Sequence, residues 1–126
     1  FLLDCTSSMK AHLQNMKDKM YDLVETIKKT YPGVVLRIGF VGYRDICDGK
    51  VMRRATLPFT TKFEEFKTIV QNQRAMGGGD PPEDVTGAID EAARMKWESN
   101  MRLIYHIGMV CCIHELFLEC RLYMTV

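Results

Sequence analysis

Apolar residues follow two patterns along this chain: short continuous runs, and a longer stretch in which they recur every three or four positions. The run at 1–3 leads directly into a recurring stripe that extends from Met9 to Tyr31, and a second nearly continuous run covers Val34 to Val41. Continuous apolar runs are typical of strands buried on both faces of a parallel sheet, whereas three- and four-residue steps indicate an amphipathic helix. The chain therefore opens as strand, helix, strand.

The same patterns continue to Ile107. Residues 51–59 predict a short strand, which Pro58 places at a sheet edge because proline has no amide to donate. Helices are predicted after Thr60 and after a glycine-rich loop, and Met101 to Ile107 is the last clear strand. This order predicts an α/β fold, with an open, mostly parallel (Rossmann-like) sheet and helices on both faces. We expect the last strand to present an unpaired apolar edge.

Composition narrows the classes of function. The chain has 126 residues and a formal net charge of +1, from 17 basic and 16 acidic residues. That balance gives no reason to expect nucleic acid or an anionic membrane as a partner. No apolar run reaches the roughly 18 residues that a membrane span needs. We expect a single domain without a membrane span.

The five cysteines are irregularly spaced and form no Cys-x-x-Cys pair. This argues against a disulfide framework and favours a reducing compartment. We therefore expect a cytoplasmic protein, with an extracellular location as the alternative.

The first candidate site is the turn that follows residues 1–3. Asp4, Thr6 and Ser8 alternate there and can direct several oxygens at one point, and Mg²⁺ prefers oxygen ligands with few carboxylates. The same residue types also cap helices, so capping explains the turn equally well.

The second candidate site is the loop Gly77-Gly78-Gly79-Asp80, which precedes a helix and places a carboxylate at its N-terminus. The alternative is a flexible loop whose acid only caps that helix. In open α/β sheets, ligands bind at the carboxyl edge of the strands, where strand order reverses. Both candidate sites lie at that edge if the strand at Met101 to Ile107 is adjacent to the first strand.

These motifs resemble those of the von Willebrand factor A domain. Its metal-ion-dependent adhesion site has Asp-x-Ser/Thr-x-Ser after the first strand and a further oxygen ligand after a Gly-Gly pair. The subgroup associated with alpha-kinases is the most similar, through Asp4 to Met9, Gly42 to Asp48 and Gly77 to Val85. The resemblance implies a protein-binding module in which Mg²⁺ (or Mn²⁺) on Asp4, Thr6, Ser8 and Asp80 accepts a carboxylate from a partner protein.

The chain departs from the family in two respects. The family pattern has an Asp just after the fourth strand, where this chain has Gly108-Met109-Val110, so we expect weakened metal binding. The family domain also continues through further strands and helices. We therefore expect a truncated domain at 1–108, incomplete in its first strand and its C-terminal half, followed by an atypical tail at 109–126.

Other polar residues carry less information. Arg44 and Asp45 follow the second strand and would either border the site or form a surface ion pair, and His106 is typical of a core histidine. No catalytic residue is predicted, because neither a Gly-x-Ser-x-Gly elbow nor the protein-kinase signatures are present. Two alternatives stay open: a docking part of an alpha-kinase whose catalytic domain lies outside the chain, and a structural relic with an inactive site.

Overall fold

The computed structural model describes residues 1–79, 83–112 and 115–125, and it describes only the backbone for 109–112 and 115–125. The strands are β1 (Leu2–Asp4), β2 (Ile38–Tyr43), β3 (Arg54–Thr60), β4 (Arg102–Cys112) and β5 (Glu115–Thr125). The helices are α1 (Leu13–Thr30), a short α2 (Gly49–Met52), α3 (Phe63–Gln71) and α4 (Val85–Arg94). Two 3₁₀ helices, Ser7–Ala11 and Ile46–Asp48, precede α1 and α2.

The strands form one sheet in the order β3-β2-β1-β4-β5. The three central strands run parallel, since β1 pairs in parallel with both β2 and β4. The two outer strands, β3 and β5, run antiparallel to their neighbours. This confirms the predicted α/β fold, and the proline-containing strand β3 lies at an edge as expected.

The prediction of an unpaired edge at the last strand was wrong. β5 pairs antiparallel along β4 from Arg102↔Thr125 to Cys112↔Glu115, so the backbone groups on that side of β4 have partners. β4 also continues as a strand past Gly108. The proposed boundary between a domain at 1–108 and a tail at 109–126 stays a prediction.

Helices cover both faces of the sheet, as predicted. Successive strand residues point to opposite faces, so Leu3 joins a cluster with α1 and α3, and Leu2 joins a second cluster with α4. The first cluster includes Met16, Met20, Phe40 and Phe66. In the second, Ala88 and Ala92 pack against Val41 and Tyr43. Each large apolar side chain buried in this way contributes roughly 1.5–3 kcal/mol.

The second strand begins later than the apolar run predicts. β2 starts at Ile38, whereas Val34 and Val35 are 60% and 72% exposed. The neighbouring strands explain the difference: β3 ends at Thr60, which pairs with Ile38, and β1 starts at Leu2, which pairs with Val41. Residues 34–37 therefore lie beyond the described ends of both neighbours.

Two helix starts also differ from the sequence pattern. The first helical stripe begins in the 3₁₀ helix Ser7–Ala11, which buries Met9, before α1 starts at Leu13. α4 starts at Val85 and is capped by Asp84, whose side chain accepts a hydrogen bond from Gly87 N. Asp80, predicted at this helix N-terminus, lies outside the described residues. Among the helices that the structure describes, none has the length and apolarity to cross a bilayer.

Candidate metal centre

The candidate site lies at the carboxyl end of the central strand. Asp4 is the last residue of β1, which has β2 on one side and β4 on the other. The chain leaves β1 through α1 towards β2, and β4 pairs with the opposite edge of β1, so strand order reverses here. This is where α/β sheets place ligands, and it satisfies the condition under which both candidate loops share one edge.

The turn after β1 aligns three side-chain oxygens. The Asp4 carboxylate Oδ1 accepts hydrogen bonds from Thr6 N (2.8 Å) and from Thr6 Oγ1 (2.7 Å). Thr6 Oγ1 lies 2.8 Å from Ser8 Oγ. Asp4 and Thr6 are buried, whereas Ser8 is exposed, so the oxygens lead from the strand end to the surface. The structure thus brings together three of the four predicted ligands.

Asp4 is 1% exposed. Within residues 1–79 and 83–108, no lysine, arginine or histidine forms an ion pair with it. Buried charges in proteins are normally paired with an opposite charge or coordinate a metal, because leaving them alone costs several kcal/mol. The environment of Asp4 therefore fits a cation-binding carboxylate.

The glycine loop packs directly on this turn. Ser7 donates to Gly77 O through both its amide (3.1 Å) and its hydroxyl (2.7 Å), and Met76 N donates to Cys5 O (3.0 Å). Gly77 and Gly78 have φ values of +76° and +82°, which favour glycine. The structure thus fixes Gly77 and Gly78 beside the turn. The fourth predicted ligand, Asp80, lies outside the described residues.

Two buried cationic side chains, Lys17 and Arg44, hold the segment that precedes the glycine loop. Lys17 Nζ donates to Gln71 O (3.1 Å) and Gln73 O (2.6 Å), and burial lowers its pKa. Arg44 donates to Met52 O (2.8 Å) and Arg74 O (2.9 Å). Sequence reasoning did not identify Lys17 as a buried residue. Its position four residues after the buried Leu13 was the signal that could have revealed its burial.

The surface-ion-pair interpretation of Arg44 and Asp45 was wrong. Both are buried, at 7% and 3% exposure, because the loops around β2 cover them. Arg44 binds the two backbone carbonyls described above, and Asp45 Oδ1 accepts from Ile46 N at the start of a 3₁₀ helix. They lie at the carboxyl end of β2, and their role as a border of the metal site stays a prediction.

β4 approaches Asp4 through a glycine. A Cβ on Gly108 would lie 2.9 Å from Tyr43 Oη and 3.3 Å from Asp4 Cβ, so a side chain there would crowd the site. Tyr43 Oη lies 2.7 Å from His106 Nε2, and His106 is half-buried. Burial, with a further contribution from Asp4, raises the pKa of Tyr43 above its usual range, so the phenol stays protonated.

Among the described side chains, no group of three or more histidine, cysteine, aspartate or glutamate residues is placed to hold a metal ion. A cation at this turn would therefore depend on the hydroxyls of Thr6 and Ser8 as well as on Asp4. That donor set, made of oxygen atoms with a single described carboxylate, suits a hard cation such as Mg²⁺ and not a soft metal.

Comparison with known proteins identifies a family whose domains have this α/β fold. The sequence model of the von Willebrand factor A domain matches residues 1–105, and the chain belongs to this family. Domains of this family are protein-interaction modules and are generally not enzymes.

Two relatives indicate the kind of protein in which such a domain occurs. The chain is 35% identical over 113 residues to alpha-protein kinase vwkA of Dictyostelium discoideum, which agrees with the alpha-kinase-associated motifs. It is 30% identical over 82 residues to a putative ariadne-like RING finger protein, R811, of Acanthamoeba polyphaga mimivirus. The matches cover 89% and 65% of this chain but only 18% and 8% of those relatives. No solved structure matches the chain significantly.

Proposed function

We propose that this domain binds partner proteins through a divalent cation, Mg²⁺ or Mn²⁺, held by Asp4, Thr6 and Ser8 with Asp80 as a further ligand. The observation that carries the proposal is the line of three oxygens at the carboxyl end of β1. It starts at a buried carboxylate that has no cationic partner in the described part of the chain. Membership of the von Willebrand factor A family supports the same conclusion.

The hydroxyl hydrogen bonds suit this role. Thr6 Oγ1 donates its single proton to Asp4, so its lone pairs point elsewhere and are available to Ser8 or to a cation. Ser8 is exposed and gives the cation a route to solvent. A cation bound by so few protein charges stays electrophilic and accepts a carboxylate from a partner protein at its open position. The family pattern has an aspartate just after Ile107, where this chain has Gly108, so we expect a lower affinity for the cation.

The test follows thermal unfolding while Mg²⁺ or Mn²⁺ is added. At about 100 times its Kd, a cation that binds the folded state stabilises it by roughly 2.7 kcal/mol. Ser8→Ala should reduce this shift, and because Ser8 is exposed the variant should fold normally without metal. Ser99→Ala makes the same chemical change just before β4 and serves as the control. Equal shifts in the wild-type chain and in Ser8→Ala would contradict the proposed site.

The open coordination position needs its own measurement. Mn²⁺ bound with exchangeable water enhances the relaxation of water protons, and a carboxylate that replaces this water should reduce the enhancement. We expect a peptide with one aspartate to reduce it, and the matched asparagine peptide to leave it unchanged. The same small effect from both peptides would show that carboxylate does not bind the cation.

A second candidate role is a docking unit within a larger alpha-kinase. The observation that favours it is the 35% identity to an alpha-protein kinase. The downstream reading frame tests it directly: an alpha-kinase domain following this chain supports the docking role, and an unrelated continuation contradicts it.

A further inference from the structure

Asp48 connects the loop between β2 and β3 to the glycine loop. It is the last residue of the 3₁₀ helix Ile46–Asp48 and is half-buried. Its Oδ2 accepts a hydrogen bond from Asp45 N (3.0 Å) within its own turn and a second from Gly78 N (3.0 Å). One carboxylate oxygen thus holds two segments that are far apart in sequence.

The shape of the glycine loop depends on this carboxylate. A Cβ on Gly77 would lie 2.4 Å from both oxygens of Asp48, so the carboxylate fills the space that a side chain at 77 would need. On the other side, a Cβ on Gly78 would lie 3.1 Å from Thr6 Cβ. Together with the hydrogen bonds from Ser7 to Gly77 O, these contacts hold Gly77 and Gly78 between Asp48 and the Asp4–Ser8 turn.

We propose that Asp48 is a positioning residue of the metal centre: it fixes Gly77 and Gly78 against the Asp4–Ser8 turn and thereby sets the affinity for the cation without binding it. The inference rests on the proposed function. The mechanism is hydrogen bonding, because two backbone amides share one oxygen of Asp48. Residues that hydrogen-bond directly to metal ligands typically change metal affinity about 10- to 100-fold when they are replaced. Asp48 acts one contact further out, through Gly78, so we expect an effect at the low end of that range.

The test compares Asp48→Ala with Asp48→Asn by calorimetric titration with Mn²⁺. Alanine removes both hydrogen bonds, so we expect affinity to fall about 10-fold. Asparagine keeps an acceptor oxygen and removes the charge, so the affinity of Asp48→Asn for Mn²⁺ should stay close to that of the wild-type chain. Asp90→Ala is the control, because Asp90 lies on the exposed side of α4 and pairs only with Arg94 among the described ion pairs.

Hydrogen exchange provides a readout without metal. The amide of Gly78 should exchange faster in Asp48→Ala than in the wild-type chain, and at the wild-type rate in Asp48→Asn. If Asp48→Ala fails to fold, Gly77→Ala replaces it: a methyl group there pushes against the Asp48 carboxylate and should also weaken Mn²⁺ binding.

The outcomes separate this inference from the proposed function. Wild-type affinity in Asp48→Ala, together with weakened binding in Ser8→Ala, would overturn the positioning role and leave the metal site standing. An equal loss in Asp48→Asn and Asp48→Ala would also overturn it, because the charge and not the hydrogen bonds would then matter. If the wild-type chain binds no Mn²⁺, both the proposed function and this inference fail.

Discussion

Asp84 should be a principal stabilising residue of this fold, and replacing it with asparagine tests how the start of α4 is held to Arg53 and Arg54. Its carboxylate is 6% exposed and accepts hydrogen bonds from Arg53 Nε (2.6 Å) and Arg54. It also caps α4 through Gly87 N (3.1 Å). Asp84→Asn keeps the size and a capping oxygen but removes the charge that faces two guanidinium groups.

The expected loss of stability follows from how exposed Asp84, Arg53 and Arg54 are. Removing one partner of a fully buried ion pair costs about 3–5 kcal/mol, whereas exposed pairs contribute about 0–1 kcal/mol. The side chains of Arg53 and Arg54 are 30% and 23% exposed, so water reaches them partly. We therefore expect Asp84→Asn to lower the free energy of unfolding by about 2–3 kcal/mol. Asp84→Ala should lose roughly 1 kcal/mol more with the cap.

The assay is urea unfolding at pH 7, monitored by the fluorescence of Trp97. The ring centroids of Trp97 and Phe59 lie 4.6 Å apart in the folded chain. Asp90→Asn is the matched control, because it makes the same change on the same helix in an exposed pair with Arg94. The Asp90→Asn substitution should lower the free energy of unfolding by no more than about 0.5 kcal/mol. A loss below about 0.5 kcal/mol in Asp84→Asn as well would refute the argument that this ion pair stabilises the fold.

Acid titration gives an independent check. Burial alone would raise the pKa of Asp84, but hydrogen bonds and charges from Arg53 and Arg54 lower it overall below the ordinary value of 3.8. A carboxyl whose pKa is lower in the folded state contributes stability above its unfolded pKa and loses it as the pH falls through the folded pKa. Below pH 3.8, the wild-type chain should therefore lose more stability than Asp84→Asn. Parallel pH profiles would contradict this.

Two further predictions concern the site's surroundings. Burial raises the pKa of Cys5 to about 12, whereas Cys47 is exposed. Alkylation at pH 8, followed by peptide mass spectrometry, should therefore modify Cys47 first and Cys5 only after unfolding. Comparable alkylation rates for the two thiols would contradict the burial of Cys5. Gly77→Ala should cost about 1–3 kcal/mol in urea unfolding, because φ is +76° and Asp48 occupies the space. Gly33→Ala meets nothing within 4 Å and should be nearly neutral; equal effects would refute the steric argument.

The sequence pattern predicted the first four strands but not β5, for a physical reason. Apolar runs and three- or four-residue steps report directly which face of an element is buried, so β1, β2 and α1 were all recognised. Their ends were less accurate, because an end depends on the neighbouring strands. Val34 and Val35 are as apolar as Val41, but they lie beyond the ends of β1 and β3 and are exposed.

Polar residues were harder to place, because their burial depends on partners that are distant in sequence. Lys17 is buried through the carbonyls of Gln71, at the end of α3, and of Gln73, and Arg44 is buried through Met52 O and Arg74 O. Asp84 became the cap of α4 through its contact with Gly87 N. By contrast, the alternation of Asp4, Thr6 and Ser8 indicated that their oxygens could lie close together, although capping explained the pattern equally well, because all three residues share one turn.

Anomalous diffraction from a crystal of this chain soaked in Mn²⁺ tests the central claim most directly. The proposal predicts a peak at the carboxyl end of β1, within about 2.5 Å of oxygens from Asp4 and Ser8. The peak should weaken in Ser8→Ala and persist in Ser99→Ala. A peak absent from this turn at saturating Mn²⁺, or present only elsewhere on the surface, would contradict the claim that the Asp4–Ser8 turn binds a divalent cation.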